Sequence, residues 1–156
     1  MPIENINSSR VRPLNGTPIQ PGSILYWMSR DMRVRDNWAL LYAQKLALSF
    51  HQPLYVIFCF IDSYKYKYKY ERQFDFLLKG LQEVEFALAE LNIPFQVKIG
   101  QPVQIIPQII DRLEIRNLIT DFSPLRTAQK WKTDLKNKLS IPIFEVDTHN
   151  VVPVWQ

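Results

Sequence analysis

The chain has only four glycines, Gly16, Gly22, Gly80 and Gly100, and they are too scattered to build a phosphate cradle. A GxGxxG or P-loop turn needs glycines between a strand and a helix so that the backbone can close on phosphate oxygens. Both motifs are excluded. Cysteine is nearly absent as well: Cys59 stands alone, so no disulfide forms within the chain. It lies inside an apolar run, which reads as a buried, inert thiol. Such cysteine usage fits a reducing, cytoplasmic compartment. The two histidines, His51 and His149, have no metal-ligand spacing with each other or with Cys59, so no metal site is expected. No GxSxG elbow supplies a hydrolase nucleophile. The longest apolar run, Leu54 to Ile61, falls far short of the ~20 residues that a membrane helix requires. Met1 to Ser9 shows no basic stretch leading into an apolar one, so no signal peptide is expected.

What is there reads as one domain. The 156 residues, 47% hydrophobic and 22% charged, have ordinary globular composition, and the net charge of +4 says little about partners. Residues 1–22 carry Pro2, Pro13, Pro18, Pro21, Gly16 and Gly22, and are expected to form an extended arm ahead of a domain over 23–156. Ordered structure is expected to begin at Ile24 to Met28, a run of strand formers. Asp36 is placed to cap a helix over Trp38 to Phe50. Pro53 precedes a second strand, Leu54 to Ile61. A long helix from Glu71 to Leu91 follows, with the stripe Phe74, Leu77, Leu78, Leu81, Val84, Leu88, Leu91. Phe95 to Ile99 is a third strand. A helix from Pro102 to Leu113 contains Pro107, where a kink or a delayed start is expected. Asn117 to Asp121 is a fourth strand, Pro124 suits the first turn of a helix reaching Leu139, and Ile143 to Val146 is a fifth strand.

Apolar strands joined by helical crossovers imply an α/β fold, a doubly wound five-stranded parallel sheet with helices on both faces. Ligands of such sheets bind at the carboxyl ends of the strands, near the point where strand order reverses. The candidate site is therefore Ser29, Arg30, Asp31, Met32 and Arg33 after the first strand, Phe60 and Asp62 at the second, and Asp121, Phe122 and Ser123 at the fourth. The arginines could hold an anionic ligand. Composition favours a solvated loop whose Asp and Arg residues pair and cap.

Three further features have two readings each. The helix Trp38 to Phe50 has few polar residues, Gln44, Lys45 and Ser49. It either meets another domain or subunit or leaves Ala39, Tyr42 and Ala43 at the surface. The repeat Tyr64 to Tyr70 alternates tyrosine and lysine. It fits single-stranded nucleic acid by stacking, though a plain surface loop is favoured. Arg126, Lys130, Lys132, Lys136 and Lys138 make the last helix basic, which reads more readily as a solvated face than as a phosphate contact.

Tyr26-Trp-Met-Ser-Arg-Asp-Met-Arg-Val-Arg-Asp-Asn-Trp-Ala-Leu-Leu-Tyr-Ala-Gln44, Leu77-Leu-Lys-Gly-Leu-Gln-Glu-Val84, Thr120-Asp-Phe-Ser-Pro-Leu-Arg126 and Phe144-Glu-Val-Asp-Thr-His-Asn-Val-Val-Pro-Val-Trp155 together resemble the amino-terminal α/β domain of class II cyclobutane pyrimidine dimer photolyases. The resemblance implies light-driven DNA repair by reduced FAD bound in a separate helical domain, which also meets the DNA. It implies an antenna pigment, a deazaflavin or a folate, in a cleft of the α/β domain at the strand ends named above. The sequence stops at Gln156, before any such helical domain, so no FAD, no catalytic residue and no independent repair are expected of this chain alone. The exposed apolar surface then expected implies a homo-oligomer, which is favoured over an ordered lid formed by the arm. A stand-alone nucleotide-binding or interaction module on the same fold is the alternative.

Overall fold

A computed structural model describes residues 6–61 and 71–155. Asp62 and the Tyr64 to Tyr70 repeat lie outside the described residues. In chain order the elements are β1 (Val11–Pro13), β2 (Ser23–Met28), α1 (Trp38–Phe50), β3 (Leu54–Phe60), α2 (Glu71–Glu90), β4 (Phe95–Ile99), α3 (Pro102–Arg112), β5 (Ile115–Asp121), α4 (Arg126–Lys138) and β6 (Ile143–Val146). The sheet order is β1-β6-β5-β2-β3-β4. β2 pairs in parallel with both β3 and β5, Tyr26 lying opposite Val56 and Ile119. The chain winds outward from β2 to β4, then returns to β5 on the other side, so the order reverses between β2 and β5.

Alternation along β2 explains the two layers. Ile24, Tyr26 and Met28 face one core, shared with Leu40, Ala43, Val84 and Leu88 of α1 and α2. Leu25 and Trp27 face the other, shared with Ile106, Ile110 and Leu135 of α3 and α4. Successive strand residues point to opposite faces, and helices cover both, so β2 is apolar throughout. In the α2 stripe Leu77, Leu81, Val84 and Leu88 are buried, while Leu78 and Leu91 are exposed.

The sheet has six strands, not five, because part of the arm joins it. β1 runs antiparallel to β6, with Arg12 opposite Glu145. A 3-10 turn at Ser8–Arg10 precedes it. Arg10 donates to the carbonyls of Asn150 and Val151, each at 2.8 Å, and lies over the Trp38 ring at 5.3 Å. Arg10 of the arm thus covers one end of α1. Tyr42 packs near Phe144, and Leu48 is the strongly exposed apolar residue of this helix.

Three local expectations are corrected. Asn37, not Asp36, caps α1: its side chain accepts from the Leu40 N–H at 3.0 Å, while Asp36 has a left-handed φ of 53°. Asn37 also donates to the Tyr26 hydroxyl and the Asp31 and Arg33 carbonyls, which a carboxylate could not do. α3 starts at Pro102 and continues through Pro107, so the delayed start, one of the two expected outcomes, does not occur. Proline at 107 frees the Val103 carbonyl, and Lys138 Nζ reaches it at 3.4 Å. α4 starts at Arg126, leaving Pro124 outside its first turn.

The basic face of α4 also differs from its expected form. Lys132 is buried; its ammonium donates to the Asp121 carbonyl at 2.7 Å and pairs with buried Glu145. Glu145 is held from the other side by Arg12, with Nη2 at 2.6 Å. A buried carboxylate requires such partners because desolvation otherwise costs several kcal/mol. No helix among the described residues is long and apolar enough to cross a membrane.

Candidate functional site

At the carboxyl end of β5, Asp121 is fully buried. Its carboxylate accepts the backbone N–H groups of Arg30 and Asp31, each at 2.9 Å, and of Ser29 at 3.2 Å. The Ser29 hydroxyl donates to its other oxygen. Successive N–H groups converging on one negative group form an anion nest. Here the anion is the protein's own, so the loop after β2 is tied to the end of β5 across the reversal point. Asp121 therefore anchors the loop through its backbone, and these N–H groups are already used.

Asp31 lies below the surface, with Oδ1 at 3.0 Å from Arg33 Nε and 3.8 Å from His149 Nδ1. Burial raises its pKa, and the Arg33 cation partly offsets this. Burial, and then the Asp121 charge, push the Tyr26 hydroxyl well up. Arg33 also donates to the carbonyls of Asp36 at 3.2 Å and Thr148 at 3.4 Å, joining the loop to the segment after β6. That segment turns on Asp147, which accepts from the N–H groups of His149, Asn150 and Val154. Those hydrogen bonds outweigh burial and lower its pKa.

The other expected site residues divide. Phe60 is buried against Leu77 and Leu81, edge-on to Phe74 at 5.5 Å. Phe122 meets Trp155 edge-on at 5.6 Å, with Arg12 over that indole at 4.5 Å. Ser123 is buried and turns the chain into α4, accepting from the Leu125 N–H at 3.4 Å. β5, β2 and β3 are neighbours, so the three strand ends do come together. Of the nine expected residues that are described, only Met32 and Arg33 line the larger groove.

That groove, about 940 Å³, runs between residues 32–35 and one face of α2. Arg33, Arg35 and Arg72 border it, with Glu83 as its acid. Its apolar wall includes Met32, Phe76, Leu77 and Val84, and Gly80 lies among them. The volume falls at the upper end of small-molecule sites, which run roughly 300–1,000 Å³. A smaller groove of about 540 Å³ lies between the start of α3 and α4, beside Arg126, Lys130 and Trp131. Among the described residues no cluster of His, Cys, Asp and Glu could hold a metal.

The sequence pattern does not mark the α2 side of the large groove, because Leu77 and Val84 belong to its core stripe and Phe76 lies outside it. Two signals were present. Phe76 falls outside the apolar stripe, and a glycine interrupts a long helix at about 1 kcal/mol relative to alanine. The backbone explains the other three glycines, whose φ values are 66°, 145° and 137°. Gly80 has ordinary helical backbone, and among the described residues a Cβ there would meet nothing within 4 Å.

Comparison with known proteins follows the same outline. Residues 24–156 match the family described as DNA photolyase. A deoxyribodipyrimidine photo-lyase of Potorous tridactylus is 42% identical over 138 residues, which is 87% of this chain and 26% of that protein. One from Arabidopsis thaliana is 37% identical over 97% of this chain and 32% of its own length. Among solved structures, a class III photolyase from Agrobacterium tumefaciens has a TM-score of 0.65 at 16% identity, over 83% of this chain and 27% of that one. A cryptochrome from Synechocystis has a TM-score of 0.62 at 19% identity, over 84% of this chain and 28% of that one. The structural likenesses show the fold. The chain spans about a quarter to a third of the curated relatives it matches, and on the family match and those identities it belongs to the DNA photolyase family.

Proposed function

We propose that the chain is the antenna-chromophore domain of a deoxyribodipyrimidine photolyase, acting with a helical FAD domain on the same or a separate chain. Light-driven repair of pyrimidine dimers takes place in that helical domain, which alone meets the DNA. The observation that carries the reading is the groove between residues 32–35 and α2, in a chain that belongs to this family. A deazaflavin or a folate, when bound, supplies light absorption and transfer of that energy to the flavin.

The residues present fit such a group. Met32, Phe76, Leu77 and Val84 offer apolar walls that exclude water from a conjugated ring. Arg33, Arg35 and Arg72 can neutralise acidic substituents, and a guanidinium also stacks on flat rings. Asp121 holds the Ser29 to Asp31 backbone and so sets where Met32 and Arg33 stand. These three backbone contacts make Ser29, Arg30, Asp31 and Asp121 positioning residues rather than contacts. Phe60 packs against Leu77 and Leu81, Phe122 meets Trp155, and Ser123 turns the chain into α4.

The test is a titration of the purified chain with a deazaflavin and with a folate, together with a repair assay. The expected result is binding of one of them, weakened about tenfold or more by Arg33→Ala, with no stoichiometric flavin and no dimer repair by the chain alone. Failure to bind either pigment, or light-dependent repair without a second domain, would overturn it.

A further inference from the structure

We propose that Gly80 and Phe76 form a notch on α2 that receives the flat ring of the ligand and decides which rings enter. The proposal rests on the reading of the groove as a chromophore site. Gly80 has no conformational reason to be glycine, since its backbone is helical, and no packing reason, since a Cβ would meet nothing within 4 Å among the described residues. Gly22 shows the contrast: φ there is 145°, and an added Cβ would run into the Arg116 side chain. What the missing side chain at position 80 provides is room inside the groove.

Phe76 lies one turn earlier on the same face, at the i, i+4 spacing that makes neighbours. It is 81% exposed and borders the groove. A phenyl ring left in water beside a bare stretch of helix offers one wall and one floor for a planar group. Among the described residues that border the groove, Arg33 is paired with Asp31, while Arg35 and Arg72 stand against the one acid Glu83, so the ring that fits best carries negative charge at its edge. The occupant is therefore a conjugated, acidic heterocycle. A side chain of a neighbouring domain is the rival occupant.

The experiment titrates the chain and its Gly80→Ala, Gly80→Leu and Phe76→Ala variants with a deazaflavin and with a folate, and measures Tm for each. Gly80→Ala should raise Tm by about 2–4 °C, because a helical glycine is replaced where nothing obstructs a methyl group. The same change should weaken binding, and Gly80→Leu should weaken it about tenfold or more as it fills the notch. Phe76→Ala should weaken binding about tenfold with Tm nearly unchanged, since the ring packs on little. Wild-type binding that survives Gly80→Leu and Phe76→Ala unaltered overturns this proposal and leaves the chromophore reading standing. It would point to the neighbouring-domain occupant. If the wild-type chain binds neither probe, the chromophore reading fails and the notch fails with it.

Discussion

Removing the Asp121 carboxylate separates anchoring from ligand contact. Asp121→Ala leaves the N–H groups of Ser29, Arg30 and Asp31 without the acceptor that they share. Each buried orphan donor costs roughly 1–3 kcal/mol. Ser29 and Arg30 are half-buried, so water relieves part of this, and the total should be about 4 kcal/mol. For a domain of this size that lowers Tm by about 8–16 °C. Asp121→Asn can keep an oxygen toward the backbone donors and turn its amide toward the Ser29 hydroxyl. It loses only charge assistance, for about 2 kcal/mol. Ser29→Ala removes one bond and should cost about 1 kcal/mol. Urea unfolding followed by far-UV circular dichroism measures all three. A cost below about 1 kcal/mol for Asp121→Ala would refute the nest as the anchor of the loop.

Lys132→Met should cost about 3–5 kcal/mol by leaving Glu145 buried with only Arg12, and Lys132→Met with Glu145→Gln should recover much of it; the same unfolding series reads both. Cys59, whose thiol burial pushes up to about 12, should resist alkylation at pH 8 in the folded chain and react at the rate of unfolding, followed by mass spectrometry. Asp31 and Asp147 should act oppositely in acid. Asp31 is raised, so the folded state binds more protons than the unfolded one above the ordinary carboxylate value. Stability therefore falls as pH rises through that window, and Asp31→Asn removes the slope. Asp147 is lowered, so its contribution is present above the ordinary value and lost as pH falls through the folded one. Asp147→Asn should destabilise at pH 7 and progressively less in acid, as thermal melts across pH will show.

The parallel sheet was legible because its signal is periodic. Runs such as Ile24 to Met28 and Ile143 to Val146 are apolar on both faces, which happens when helices cover both. β1 was not legible: three residues, one of them Pro13, carry no periodicity, and their partner strand lies about 130 positions away. Lys132 reads as one more surface lysine until the fold places Glu145 beside it. Asp36 and Asn37 are both good caps by type, and what selects Asn37 is its amide donors, needed by Tyr26 and two carbonyls. The strand-end rule points to Ser29, Arg30, Asp31 and Asp121, which the structure joins by hydrogen bonds. It could not reveal that Asp121 would spend its charge on the loop backbone. Nor could it reveal the far wall of the groove, which lies on a helix 40 positions downstream whose outward residues look like surface.

The central claim is that a small conjugated ligand sits between residues 32–35 and α2. Backbone amide shifts of the isotopically labelled chain, recorded as a deazaflavin or a folate is added, test it most directly. The claim predicts saturable shifts at Met32, Arg33, Phe76, Leu77, Gly80 and Val84, which lie on both sides of the groove. Shifts confined to the smaller groove at Arg126, Lys130 and Trp131, or no shifts at saturating ligand, would contradict it.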